Sequence, residues 1–76
     1  MNLNEIRPGE SCRMVDLTAE GSLERRLMDL GFFPGAVMKI VRNAPLVDPL
    51  EIQLEGVFLA IRHAEAQFVE VATDGL

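Results

Sequence analysis

Tryptophan and tyrosine are absent from the 76 residues, and the chain holds one cysteine and one histidine. Each shortage removes a class of function. Domains that bind proline-rich peptides use grooves lined by aromatic side chains, chiefly Trp and Tyr, so a small domain of this composition lacks that groove. The lone Cys12 excludes an intramolecular disulfide, and stability must come from packing. Zinc sites of the Cys/His type need several soft ligands, and non-haem iron commonly takes two His and a carboxylate. Neither set exists within one chain. A nucleophile–His–acid arrangement would have to use His63, which has no Gly-flanked Ser or activated thiol beside it. The stretch Gly31-Phe32-Phe33-Pro34-Gly35 lacks the Lys-Ser/Thr ending of a phosphate loop. The expectation is a chain that is not an enzyme, with no catalytic residue, no cofactor and no metal site of its own. His63 reads as an exposed, ordinary histidine in a tight turn. His63 with Glu65, or Cys12, contributes at most to a site shared between subunits.

Positive charge and long apolar runs are also scarce. Twelve acidic residues stand against seven basic ones, for a net charge of −5. An acidic surface is repelled by phosphate backbones, and no basic cluster exceeds Arg25-Arg26, so nucleic acid and anionic membranes are poor partners. The longest apolar run, Val57 to Ile61, falls far short of the roughly 20 residues a spanning helix needs. No basic stretch followed by an apolar run opens the chain. A cytoplasmic, soluble protein without membrane insertion is expected.

What the chain does have is apolar content: 49% of its residues are hydrophobic. A domain of this size buries only about 60% of the surface its unfolded chain exposes. Some of those side chains therefore stay at the surface, which favours docking or self-association. One passage organises the rest, Leu27-Met28-Asp29-Leu30-Gly31-Phe32-Phe33-Pro34-Gly35. Before it the apolar residues recur at helical spacing; after it they alternate as in strands. Gly31 suits the left-handed end of a helix, and Pro34-Gly35 a tight turn. Phe32 and Phe33, in extended geometry between these breakers, point to opposite sides, so at most one is wholly buried.

In chain order, residues 2–10 are polar with a turn at Pro8-Gly9, and Leu3 and Ile6 tuck against the domain edge. Ser11 to Leu17 forms a first strand whose apolar phase changes between Met14 and Val15, which a bulge reconciles with one core. Ser22 is the expected N-cap of a short helix running to about Leu30, with Glu24 near its positive end and Leu23, Leu27 and Leu30 as an inward stripe. A second strand covers residues 36–43, with Met38 and Ile40 on one face and Val37 and Val41 on the other. Residues 44–49, Ala-Pro-Leu-Val-Asp-Pro, read as a stiff loop with Leu46 and Val47 at its tip. Leu50, Ile52 and Leu54 alternate inward along the next strand, and Glu55-Gly56 turns the chain into residues 57–62. Both faces of that strand are apolar, so it is expected to be central. Residues 62–66 form a helical turn, 68–72 close the sheet, and 73–76 are a tail. The sum is one domain, 1–76, of five short strands with one helix after the first; a closed or nearly closed barrel best hides its edges.

The ordered set Leu27 to Gly35, Ala44-Pro45-Leu46-Val47-Asp48-Pro49, Leu59-Ala60-Ile61-Arg62, Glu65-Ala66 and Val69-Glu70-Val71 resembles the ferrous iron transport protein A family (FeoA). The likeness runs from about Leu3 to Val71. It implies an SH3-like β-barrel in the cytosol that assists ferrous iron uptake. The implied partner is the membrane ferrous iron transporter, ferrous iron transport protein B, through its cytosolic G-protein domain. The family's loop commonly reads Ala-Pro-Leu-Gly-Asp-Pro, and Val47 stands here where that Gly would be. If the Gly takes positive φ, a β-branched residue is strained and the loop is reshaped.

The residues expected to contact a partner are Phe32, Phe33, Leu46 and Val47, with Arg25 and Arg26 as electrostatic guides. The plainer reading puts the four apolar residues in the core and the two arginines on a solvated helix face. Beside docking on the transporter stand two alternatives: an oligomeric chaperone or sensor that binds ferrous iron, a transition metal ion, and a regulatory homo-oligomer acting without the transporter.

Overall fold

The computed structural model describes residues 1–74. Five strands, β1 (Ser11–Leu17), β2 (Val37–Ala44), β3 (Val47–Leu54), β4 (Val57–Ile61) and β5 (Val69–Ala72), make one antiparallel sheet in the order β4-β3-β2-β1-β5. A 3₁₀ turn (Leu3–Glu5) precedes β1, helix α1 (Gly21–Leu30) follows it, and the one-turn helix α2 (His63–Ala66) joins β4 to β5. This is the mainly β fold with a helix after the first strand that the periodicity predicts. Of the expected tail, Gly75 and Leu76 lie outside the described residues.

Side chains alternate across a strand, so each strand sends one set inward. Cys12 and Met14, Met38 and Ile40, Leu50, Ile52 and Leu54, Ile61, and Val69 and Val71 converge in one core, with Leu3, Ile6, Leu27 and Phe32 completing it. In β1 the register against β5 shifts between Met14 and Asp16. Val15 is the extra residue and lies exposed, while Leu17 returns to pack on the core. The phase change in the sequence is this bulge.

Gly31 ends α1 at φ 109°, its N–H donating to the carbonyls of Leu27 and Met28. That is the left-handed cap its missing Cβ permits. The start of α1 differs from expectation. Glu20, not Ser22, is the N-cap, and its side chain makes no capping bond. The inward stripe is also narrower: Leu27 is buried, Leu23 packs partly on the core, and Leu30 is exposed. At about 100° per residue Leu30 lies some 60° around the helix from Leu27, so it reaches only the rim.

Two further expectations change. Strand β4 is not central but lies at one margin of the sheet. Among its residues Ile61 is buried, whereas Val57 and Phe58 are exposed. A continuous apolar run does not distinguish a strand covered on both faces from an uncovered margin, because pairing partners are remote in sequence. The loop at 44–49 shrinks to the turn Pro45-Leu46, since Ala44 already pairs with Val47 and Val47 begins β3. The positive φ of this turn, 64°, falls on Leu46. Val47 takes strand geometry, which suits a β-branched residue, so the strain feared at that position does not arise.

Candidate functional site

Phe32 and Phe33 divide as their spacing predicts. Phe32 is fully buried, and Phe33 retains 48% of its surface. Burial removes Phe32 from the expected contact residues; it is a core residue. Met28 and Leu30, in the last turn of α1 shortly before Phe33, are exposed as well. Leu46 is fully exposed at the tip of the β2–β3 hairpin, and Val47 beside it is exposed by half. Phe33 precedes β2 and Leu46 follows it, and eight residues of strand span about 25 Å. The structure therefore does not gather these residues into one patch, but sets two at opposite ends of the domain.

The two arginines also separate. Arg25 is exposed on α1, whereas Arg26 pairs with Glu65 and ties α1 to α2. Arg26 is therefore a structural link more than a guide for partners.

The base of the hairpin carrying Leu46 is held by polar groups. His63 Nδ1 lies 2.7 Å from Asp48 Oδ1, and its Nε2 lies 2.9 Å from Asn43 Oδ1. The His63 backbone N–H donates to the same Asp48 oxygen at 2.8 Å. The Asn43 amide donates to the carbonyls of Asn4 and Ile6 at 3.0 and 2.8 Å. Those two bonds fix which way the Asn43 amide points, so its oxygen is the atom facing His63. Both ring nitrogens thus meet acceptors, and both bonds form when both nitrogens carry hydrogen. Asn4 completes the clamp by donating from Nδ2 to the His63 carbonyl at 2.9 Å. The Asp48 carboxyl is held below the usual carboxylate range, first by the His63 backbone N–H and next by the His63 ring.

His63 is accordingly not an ordinary exposed histidine; it is a half-buried clamp. Sequence reading missed it because Asn4, Asn43, Asp48 and His63 are scattered along the chain. Cys12 is fully buried, and its thiol is pushed up to about 11 by burial, with the charge of Glu10 adding to the effect. A neutral, enclosed thiol offers nothing to a site shared between subunits. Among the described residues no group of three or more His, Cys, Asp or Glu is placed to hold a metal ion.

Sequence reading also missed the outer face of β4. Phe58 is 70% exposed, the most exposed aromatic of the domain's described residues. With Val41, Glu51 and Ala60 it lines a shallow cleft on the outer side of β2, β3 and β4. Its signal is the unbroken apolar run 57–61, which fits a central strand equally well. Among the described residues no helix is long and apolar enough to cross a membrane.

Fold and surface together define a small SH3-like domain with apolar side chains exposed at the end of α1, at the Leu46 tip and on β4. A model of the FeoA domain matches residues 1–73, and the chain belongs to the FeoA family. Among its relatives is a fusion of Fe(2+) transport protein A with the Fe(2+) transporter FeoB from Porphyromonas gingivalis, 28% identical over 93% of this chain. The matched region is 8% of that protein's length. The solution structure of a FeoA protein from Chlorobium tepidum superposes with a TM-score of 0.86 at 39% identity, covering 99% of this chain and 71% of that one. A Stenotrophomonas maltophilia FeoA, described as a prokaryotic SH3 domain protein and crystallised with zinc, gives a TM-score of 0.77 at 33% identity, over 95% and 89% of the two chains.

Proposed function

We propose that this protein is an accessory factor of ferrous iron uptake that docks on the cytosolic part of the membrane ferrous iron transporter and modulates transport. One observation carries the reading: in a relative, the same domain is covalently part of a FeoB transporter. Domains joined in one polypeptide in one organism commonly associate as separate chains in another, because fusion only raises their effective concentration. The tip residues Leu46 and Val47 are the proposed contact. Pro45 restricts the turn, and the clamp of Asn43, Asp48 and His63 steadies its base. A pre-ordered apolar tip loses little entropy on docking.

The test is calorimetry and pull-down of the purified chain against the soluble cytosolic part of the transporter, with and without guanine nucleotide. Binding is expected, and Leu46→Glu is expected to abolish it while leaving the circular dichroism unchanged. Failure of the wild type to bind in any nucleotide state overturns the reading. Undiminished binding by Leu46→Glu moves the contact away from the tip.

A further inference from the structure

The ladder of the hairpin that carries Leu46 is irregular just below its tip. Strands β2 and β3 pair at Arg42 with Glu51 and again at Ala44 with Val47, and the register shifts between those pairs. Asn43 alone separates them on β2, whereas Asp48, Pro49 and Leu50 separate them on β3, and Pro49 has no N–H to give. The His63 ring lies across this gap. Its Nδ1 is 2.7 Å from Asp48 Oδ1 on one leg, and its Nε2 is 2.9 Å from Asn43 Oδ1 on the other.

Neither acceptor is free to turn away. The Asn43 amide donates to the carbonyls of Asn4 and Ile6, and a reversed amide would point its oxygen at both of them. The segment bearing those carbonyls is anchored from its other side: Asn2 bridges Glu70 of β5, and the Val71 N–H donates to the Met1 carbonyl at 2.8 Å. Asp48 Oδ1 is held by the His63 backbone N–H at 2.8 Å. A ring with hydrogen on both nitrogens therefore bonds both legs. A neutral ring has one bare nitrogen, which meets an oxygen lone pair and lets one leg go. The bond to the carboxylate is the stronger, so the Asn43 leg is the one released.

We infer that His63 is a proton-operated brace of the hairpin: charged, it joins both legs and fixes the Leu46 tip; neutral, it holds β3 alone and the tip loosens. The charged groups around the ring keep their state while it changes. On β3, the Asp48 carboxyl is held below the usual carboxylate range by the His63 backbone N–H and ring. On β2, Arg42 pairs with Glu51, and in the 3₁₀ turn Glu5 accepts from the Asn2 N–H. On α2, Glu65 is engaged by Arg26 of α1, and Arg62 directly precedes the ring in the chain. Carboxylates and guanidinium groups ordinarily stay charged between about pH 5 and 8, the interval in which histidine changes charge. Control of docking by this brace rests on the function proposed above; the coupling of proton to tip does not.

The experiment is a pH titration of the purified, isotope-labelled chain by NMR, with no transporter present. It reads the His63 ring resonances together with the amide order parameters of Leu46 and Val47. Those order parameters are expected near about 0.85 at about pH 5.5 and below about 0.6 at about pH 8. Their midpoint should coincide with that of the ring. In His63→Gln, which does not ionise, they should stay flat over the same interval. Should that variant fail to fold, the wild-type titration decides alone. Order parameters that stay constant while the ring titrates, a tip midpoint away from the ring's, or a pH step that persists in His63→Gln overturns the inference. With the transporter absent, these outcomes do not bear on docking, and a failure to dock leaves the brace standing.

Discussion

The two ends of β2 close the barrel by different means. Where β2 begins, α1 and the turn after it seal the core with Leu23, Leu27 and Phe32. Where it ends, Asn4, Asn43, Asp48 and His63 close it with hydrogen bonds. The apolar closure is non-directional and depends on volume filled. The polar closure depends on each donor finding its acceptor, and removing one partner strands the others. The first closure thus stabilises by burial, while the second sets the angle at which the hairpin tip is held.

The largest effect expected is on the apolar closure. Phe32→Ala should lower the unfolding free energy in urea by about 3–5 kcal/mol, whereas Phe33→Ala should stay within about 0.5 kcal/mol of wild type. Equal losses would mean that the two aromatics are not divided between core and surface. Next comes the polar closure. Asn43→Ala withdraws two donors from the carbonyls of Asn4 and Ile6 and an acceptor from His63. A loss of about 1–3 kcal/mol is expected in the same titration, and the amides near Leu46 should exchange faster. A change confined to stability, with no effect at the tip, would break the link between clamp and tip.

A smaller effect depends on pH. The folded state holds the Asp48 carboxyl below its unfolded value of 3.8. Its contribution is therefore fully present above the unfolded value and is lost as pH falls through the folded one. Wild type and Asp48→Asn should differ in urea midpoint near neutral pH, and the difference should shrink in acid below about pH 4. A constant difference would show that the Asp48 charge plays no part. The smallest effect on stability is expected for Leu46→Glu, within about 0.5 kcal/mol, although this variant should lose transporter binding altogether.

The apolar closure was legible in the sequence and the polar one was not. Period-two alternation exposed β3 and the buried faces of β1 and β2, and the phase slip at Val15 exposed the bulge. Gly31 and Pro34, on either side of Phe32 and Phe33, were enough to separate the two aromatics. These signals are local, and local periodicity is what a sequence displays directly. The clamp joins residues 59 positions apart, Asn4 and His63, with no repeating interval between its members. The margin position of β4 was hidden for a related reason: exposure there is decided by which strand fails to pair with it. The turn at Leu46 was partly legible. Pro45 marked it, but the positive φ fell on a leucine, a residue that seldom adopts it.

The bridge between Asn2 and Glu70 has a topological consequence. It lays the first residues of the chain against the last strand, so Met1 and Ala72 lie on the same flank of the sheet, away from β4. Anything attached at either end reaches the domain from that flank and leaves β4 and the Leu46 tip unobstructed. The same adjacency makes the order of the strands along the chain dispensable. Joined end to end by a short linker and reopened at Glu55-Gly56, the polypeptide should rebuild the same sheet as a circular permutant.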